Sequence, residues 1–142
     1  MSEEENEEEE EETSNNEIKV VLVGESGVGK TSIINRLIHK EFNDNSKITI
    51  GANYTTKKIN LPQYNKKITL EIWDTAGQEN YRSFTKLFYK NAKIAILVYD
   101  ITNKNSYNEI KKYWIKTIKE DCEKDLSKII IFIFYSFGFD WK

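Results

Sequence analysis

The feature that most constrains this chain is a glycine-rich segment, G-E-S-G-V-G-K-T, which runs from Gly24 to Thr31. It follows Ile18 to Val23, an almost unbroken run of apolar, mostly β-branched residues that predicts a strand buried on both faces. After it, apolar residues between Thr31 and Lys40 recur at helical spacing. A strand, a glycine-rich turn and a helix in this order match the phosphate-loop pattern G-x-x-x-x-G-K-[ST].

The phosphate-loop pattern predicts how these residues meet a ligand. Glycines let successive backbone N–H groups converge on phosphate oxygens at the positive end of the next helix. Lys30 is predicted to reach the β- and γ-phosphates, and the Thr31 hydroxyl is placed to bind Mg²⁺. The alternative, a purely structural glycine-rich turn, is disfavoured by the strand and helix on either side.

The rest of the chain alternates strands with helices. Tyr54 to Leu61 and Lys67 to Trp73 flank a proline-containing turn and predict a hairpin. Lys93 to Tyr99 and Lys128 to Tyr135 predict two further strands, and Ser106 to about Lys124 predicts a helix with one apolar face. This alternation predicts a three-layer α/β fold with a mainly parallel sheet.

A second cluster of functional residues, W-D-T-A-G-Q-E, begins at Trp73. Asp74 ends a predicted buried strand, at the edge where such sheets present groups to ligands, and can orient Mg²⁺. The Gly77 N–H can approach a terminal phosphate, and Gln78 can align an attacking water because its amide both donates and accepts. An isolated aspartate at a strand end is more often a cap or turn residue, but the phosphate loop favours the functional interpretation.

Together these two segments resemble the phosphate loop and second switch of Ras-superfamily GTPases. The segments Thr49-Ile50-Gly51 and Tyr99-Asp100-Ile101-Thr102, and the tryptophan before Asp74, resemble the Rab branch most. The resemblance runs from about Ile18 to Ile133, and it implies a small GTPase domain of the P-loop NTPase class.

The resemblance also implies roles for individual residues. Phe42 would lie against the guanine ring, and Thr49 would contact Mg²⁺ and the γ-phosphate in the triphosphate state. The metal ligands would be Thr31, Thr49 and Asp74, and the catalytic residues Gln78 and Lys30. The nucleotide-binding residues would be Gly24, Glu25, Ser26, Gly27, Val28, Gly29, Lys30, Thr31, Ser32, Phe42, Thr49, Asp74 and Gly77.

The implied function is a timed switch that binds GTP, hydrolyses it to GDP and acts in vesicle traffic. Two loops, Phe42 to Gly51 and Thr75 to Leu87, would be ordered by the triphosphate and released on hydrolysis. They would bind an exchange factor, a GTPase-activating protein and effectors. No residue is an obvious arginine finger, so the activating partner would supply that charge. Arg82 is expected to make surface or partner contacts.

The end of the chain departs from the family pattern. Where the family has an Asn-Lys-x-Asp motif that reads guanine, this chain has S-F-G-F-D-W-K from Ser136 to Lys142. We therefore expect an incomplete domain at residues 17–135, without its last strand and helices, and an aberrant end at 136–142. Selectivity for guanine should be reduced, and the prenylated cysteines by which family members attach to membranes are expected to be absent.

Composition limits the remaining possibilities. Residues 1–16 carry nine glutamates and predict a disordered acidic tail, without which the chain has 21 basic against 14 acidic residues. The single cysteine, Cys122, fits a reducing compartment and is expected to be a buried thiol on the helix. We expect a cytoplasmic monomer with no nucleic-acid partner and no membrane anchor in this chain.

Two alternatives to an active GTPase remain open. The chain could be a truncated fragment that binds nucleotide or effectors at most, without hydrolysis. It could also be a P-loop enzyme of another class, such as a nucleotide kinase, although the D-T-A-G-Q segment has no role there. Hydrolysis that depends on Gln78 would distinguish an active GTPase from such a fragment. Phosphoryl transfer to a nucleotide would support the second alternative.

Overall fold

The structure of the chain is a computed structural model that describes residues 16–42, 47–123 and 130–136. The predictions for the acidic tail and for the aberrant end therefore fall almost wholly outside the described residues. The same holds for the side chain of Cys122 and for the middle of the loop after Phe42.

Five strands form one sheet in the order β2-β3-β1-β4-β5, with β2 antiparallel to β3 and the other neighbours parallel. The strands are β1 (Glu17–Val23), β2 (Ala52–Leu61), β3 (Lys66–Thr75), β4 (Ile94–Asp100) and β5 (Ile130–Ser136). Each predicted strand is present, and the predicted α/β class with a mainly parallel sheet is confirmed. The hairpin between β2 and β3 turns at Pro62–Tyr64 and closes through Asn65, whose backbone φ is 48°.

Four α-helices connect the strands among the described residues: α1 (Lys30–His39), α2 (Arg82–Tyr89), α3 (Lys104–Glu109) and α4 (Ile115–Glu123). Asn103 starts α3, because its side-chain oxygen accepts from the N–H groups of Asn105 and Ser106. A wide π-type turn, Ile110–Trp114, joins α3 to α4, and within it the Ile115 N–H donates to the Ile110 carbonyl. No helix in the described ranges is long and apolar enough to cross a membrane.

The helices cover both faces of the sheet and make three layers. One core cluster joins alternate β1 residues, such as Val21 and Val23, to Trp114 and Ile118 of the long helical segment. The other joins Val20 and Leu22 to Ile34 of α1. Both sides of β1 are therefore buried, which is why its sequence is continuously apolar rather than alternating. This arrangement fixes the carboxyl end of β1, where the phosphate loop begins.

One prediction about secondary structure is wrong. The segment from Thr75 to Leu87 was expected to be a loop, but Arg82–Tyr89 forms α2 after a short 3₁₀ turn at Glu79–Tyr81. Thr85 and Tyr89, four residues apart, are buried on one side of α2, and the Thr85 hydroxyl donates to the Tyr81 carbonyl. Phe88 is also half-buried against the core. Burial of these residues stabilises a short helix whose other apolar side chains, Phe84 and Leu87, are exposed.

Candidate nucleotide-binding site

The phosphate loop leaves β1 through a position that only glycine can occupy. Gly24 has a backbone φ of 146°, and a Cβ added there would lie 2.1 Å from the Val98 carbonyl oxygen of β4. Gly27 and Gly29 also have positive φ values, 78° and 97°. These conformations strain residues with a side chain, so the glycine spacing of the motif is explained by the path of the backbone.

Lys30, the first residue of α1, is folded back over the phosphate loop. Its Nζ donates to the carbonyl oxygens of Gly24, at 2.9 Å, and Glu25, at 2.7 Å. The side chain is 6% exposed, and burial lowers the pKa of Lys30 to about 8, against the opposing charges of Asp74 and Glu25. A buried ammonium held by carbonyl groups is well suited to meet an anion such as phosphate.

Three oxygen-bearing side chains meet at the start of α1. The Thr31 hydroxyl donates to Asp74 Oδ2 at 2.6 Å and lies 2.8 Å from the Thr49 hydroxyl. Asp74 is 3% exposed, and burial raises its pKa although its contacts with Thr31, Lys30 and Thr49 oppose the change. These three residues are the metal ligands predicted from the sequence, and the fold brings them together.

The donor set at this point fits Mg²⁺. Asp74 Oδ1 is buried and has no hydrogen-bond partner among the described residues. A buried carboxylate oxygen without a partner is costly unless a cation or water satisfies it. Hydroxyl and carboxylate oxygens are also the ligands that Mg²⁺ prefers, with phosphate oxygens and water completing its shell. No group of three or more His, Cys, Asp or Glu that could hold a metal occurs in the described part of the chain.

The second predicted cluster packs directly on the phosphate loop. A Cβ added to Gly77 would lie 2.3 Å from the Glu25 carbonyl carbon and 2.4 Å from the Ser26 nitrogen. The Thr75 hydroxyl donates to the Leu22 carbonyl at 2.6 Å, and the Ala76 N–H donates to the Gly51 carbonyl at 2.8 Å. The segment from Thr75 to Gly77 is therefore held against both β1 and the end of the loop that carries Thr49.

The remaining predicted site residues differ in how far the fold exposes them. Ser26 and Gly27 are exposed at the tip of the phosphate loop, whereas Ser32, in the first turn of α1, and Phe42, after the helix, are half-buried. The Val28 side chain is 2% exposed and packs in the core with Ile34. Only the backbone of Val28 can therefore face a ligand. Gln78 follows Gly77 in extended backbone and is half-buried.

The Arg82 side chain lies inside the protein rather than on its surface, where it was expected from the sequence. Its guanidinium is largely buried and pairs with Glu25 of the phosphate loop and Glu109 at the end of α3. Burial lowers the pKa of Arg82, but these two carboxylates outweigh that effect and raise it overall. From the motif, Glu25 was expected to contribute only its backbone to phosphate binding. Neither ion pair of Arg82 was therefore predicted.

An aromatic cluster lies beside the site, on the hairpin and α2. Trp73 is 4.9 Å from the Tyr54 ring and 5.3 Å from the Phe88 ring, measured between ring centres. Tyr54 is 50% exposed, and Phe84 of α2 is 55% exposed, whereas Tyr89 is buried. An exposed aromatic surface next to a candidate nucleotide site is typical of a protein-binding site.

Comparison with known proteins identifies relatives that are GTP-binding or Ras-related proteins. A sequence model described as the Ras family matches residues 19–133. The chain is 42% identical over 113 residues to the GTP-binding protein ypt3 of Schizosaccharomyces pombe, and 40% identical over 113 residues to the Ras-related protein Rab-11B of Dictyostelium discoideum. It is also 43% identical over 113 residues to the human Ras-related protein Rab-8B.

These alignments cover 80% of this chain but only 51%, 50% and 53% of the three relatives. The chain therefore spans about half the length of the curated relatives it matches. The matched part contains the phosphate loop, the meeting point of Thr31, Thr49 and Asp74, and the aromatic cluster.

Proposed function

Since the chain belongs to the Ras family, we propose that it is a GTP-binding switch of the Rab type that hydrolyses GTP to GDP and acts in vesicle traffic. The observation that carries the proposal is the meeting of the Thr31, Thr49 and Asp74 oxygens at the phosphate loop. Thr49 belongs to a loop, and its place in this site has a simple explanation if that loop responds to the bound nucleotide.

In this proposal the phosphate loop holds the β- and γ-phosphates of the nucleotide. The N–H groups from Gly24 to Thr31 surround the phosphate oxygens at the N-terminus of α1. Lys30 exchanges its two carbonyl partners for phosphate oxygens, which restores the full charge of its ammonium. Thr31, Thr49 and Asp74 would hold Mg²⁺, which would supply positive charge to neutralise the phosphates.

Hydrolysis requires a water molecule aligned with the terminal phosphate. Gln78 is assigned this role because its amide can accept from the water and donate to the phosphate. Lys30 stabilises the negative charge that develops on the phosphate oxygens. Arg82 is committed to Glu25 and Glu109, so we assign the charge of an arginine finger to a GTPase-activating partner.

Switching follows from the contact between the two loops. The Ala76 N–H donates to the Gly51 carbonyl, so a backbone hydrogen bond joins the end of the loop that carries Thr49 to the segment that carries Gln78. Loss of the γ-phosphate would release Thr49 and through this hydrogen bond loosen the second segment. Tyr54, Trp73 and Phe88 form the partly exposed aromatic cluster that we assign to exchange factors and effectors. We place this activity in the cytoplasm.

A titration of the purified chain with fluorescent GDP and fluorescent ADP, in Mg²⁺ and in EDTA, tests nucleotide binding. Lys30→Ala should weaken GDP binding by at least about tenfold, whereas Lys104→Ala, an exposed lysine at the start of α3, should not. Equal binding by both variants would contradict the proposal. A preference for GDP over ADP would support a guanine-nucleotide switch.

The second candidate function, nucleotide binding without hydrolysis, rests on the chain spanning only half of its relatives. Phosphate release from GTP decides between the two candidates. Gln78→Leu should slow release by about tenfold or more while GDP affinity stays within about twofold. Binding without any Gln78-dependent hydrolysis would favour the second candidate, and phosphoryl transfer to another nucleotide would indicate a kinase.

A further inference from the structure

Arg82, the first residue of α2, joins this helix to the phosphate loop through a shielded ion pair. Its Nη2 lies 2.5 Å from Glu25 Oε1 and 3.0 Å from Glu109 Oε2. The side chains of the three residues are only 17%, 16% and 23% exposed, respectively. Water and salt therefore weaken this pairing less than they weaken an ion pair on an open surface.

The wide turn between α3 and α4 completes the surroundings of the ion pair. The Arg82 guanidinium carbon lies 4.4 Å from the Tyr113 ring centre and 5.8 Å from that of Trp114. The Trp114 Nε1–H also donates to Glu25 Oε1, at 3.4 Å. Aromatic faces attract a guanidinium, so the position of Arg82 is set by the rings as well as by the carboxylates.

Glu25 transmits the position of Arg82 to the phosphate loop. The Glu25 carbonyl accepts from Lys30 Nζ at 2.7 Å, and Gly77 lies against the peptide that joins Glu25 to Ser26. Movement of the Glu25 side chain therefore disturbs backbone that surrounds the phosphates. The buried Arg82 Nε has no hydrogen-bond partner among the described residues, so opening toward water would satisfy a donor that the closed arrangement leaves unpaired.

We propose that Arg82 is a positioning residue that controls how fast the site releases its nucleotide. Pairing with Glu25 holds the phosphate loop closed, and withdrawal of Arg82 when the second segment moves lets the loop open. The proposal concerns the regulation of the nucleotide site, and its kinetic part rests on the proposed function. In this proposal the ion pair between Arg82 and Glu25 connects α2 directly to the phosphate loop.

Removing Arg82 should act on the nucleotide in two ways. The Glu25 carboxylate would remain partly buried with Trp114 as its main hydrogen-bond donor, which favours movement of the loop toward water. The same carboxylate, no longer neutralised, would repel the phosphates. Both effects speed release, and both depend on the negative charge of Glu25.

Release of fluorescent GDP from the full chain tests this dependence on charge. Arg82→Met keeps most of the stem that packs on Tyr113 but removes the cation, and it should speed release by about tenfold. Adding Glu25→Gln to Arg82→Met should slow release again, to within about threefold of Glu25→Gln alone. Arg82→Lys should restore part of the wild-type rate, because an ammonium can pair with one of the carboxylates.

Glu109→Gln is the matched control, since Glu109 pairs with Arg82 but lies outside the phosphate loop. Adding it to Arg82→Met should not slow release. If Glu25→Gln and Glu109→Gln gave the same additive changes, Arg82 would have only a packing role and the proposal would be overturned. A wild-type rate in Arg82→Met would overturn it equally.

Hydrogen exchange of the amides from Glu25 to Gly29, measured without nucleotide, separates this proposal from the proposed function. Exchange there should be faster in Arg82→Met and slower again in the double variant with Glu25→Gln. If wild-type chain binds no GDP, the proposed function fails, and the exchange pattern still decides whether Arg82 holds the loop. Unchanged exchange in Arg82→Met would reject the proposal.

Discussion

The Thr49 hydroxyl lies 2.8 Å from the Thr31 hydroxyl, although Thr31 is in the first turn of α1 and Thr49 is in the loop that follows the helix. Thr31 is fixed by the helix, whereas Thr49 is positioned by a loop that ends at Gly51. Because the Gly51 carbonyl accepts from the Ala76 N–H, this loop is attached both to Thr31 of α1 and to the segment from Thr75 to Gly77. Several consequences of this attachment can be measured.

Thr49→Ala should weaken the binding of a triphosphate more than that of a diphosphate. The family resemblance assigns Thr49 a contact with Mg²⁺ and the γ-phosphate only in the triphosphate state. We expect about tenfold weaker binding of a non-hydrolysable GTP analogue, with the Kd for GDP changed less than about threefold. Thr56→Ala, an exposed threonine on β2, is the control. Equal losses for both nucleotides would contradict a state-dependent role.

Asp74→Asn should stabilise the nucleotide-free chain and remove its response to Mg²⁺. Burial raises the pKa of Asp74, so folding favours the protonated form, and the wild type loses stability as the pH rises through that raised pKa. An asparagine side chain does not ionise, so the variant has no such loss of stability as the pH rises. At pH 7 in EDTA we expect the Tm to rise by about 4 °C, while Mg²⁺ no longer strengthens GDP binding. A lower Tm in EDTA would show that the carboxylate stabilises the empty site.

Lys30 gives the nucleotide-free chain a stability that increases with pH. Burial lowers the pKa of Lys30 from 10.5 to about 8, so between these values the unfolded chain binds more protons than the folded chain. The free energy of unfolding should therefore increase from pH 8 to pH 10. Urea unfolding should show that Lys30→Met removes most of this increase, whereas Lys104→Met does not. Saturating GDP should also flatten the dependence, since phosphate favours the charged form.

Gly24→Ala and Gly27→Ala should differ sharply in stability. A Cβ at Gly24 would lie 2.1 Å from the Val98 carbonyl oxygen, whereas a Cβ at Gly27 would have no atom within 4 Å. Gly27→Ala then carries only the strain of its positive φ, about 1–2 kcal/mol. Gly24→Ala adds a backbone collision, and we expect a loss of about 3 kcal/mol or more. Equal losses in urea unfolding would contradict the close approach of β1 and β4.

The strands, α1 and the phosphate loop could be predicted from the sequence because their signals are local. Ile18 to Val23 is a continuous apolar run, and the loop carries its glycines at fixed spacing. The helix α2 was missed because it is short and the glycine-containing segment before it suggests a longer loop. Four of its eight residues are apolar or aromatic, but two of them, Phe84 and Leu87, are exposed, so they do not mark one buried face. The buried pair Thr85 and Tyr89, spaced four apart, was the available signal.

The ion pairs of Arg82 could not be predicted in the same way. Glu25 and Glu109 are 57 and 27 positions away from Arg82, and nothing in the local sequence distinguishes them from other glutamates. Their pairing depends on how α2 and the wide turn pack over the phosphate loop. Motif analysis identified Glu25 by its backbone and therefore gave no role to its side chain.

The wide turn at Ile110–Trp114 has a consequence for changes in chain length. Ile110, Trp114 and Ile118 are all fully buried, although positions eight apart in a regular α-helix lie about 80° apart around its axis. The wide turn contains more residues than a regular turn and so corrects this drift. Deleting Lys111 would place Ile118 seven positions after Ile110, about two regular turns, and keep Ile118 toward the core. Deleting Lys116 would rotate Ile118 by about 100° instead, so this helix can shorten at its wide turn without losing its buried face.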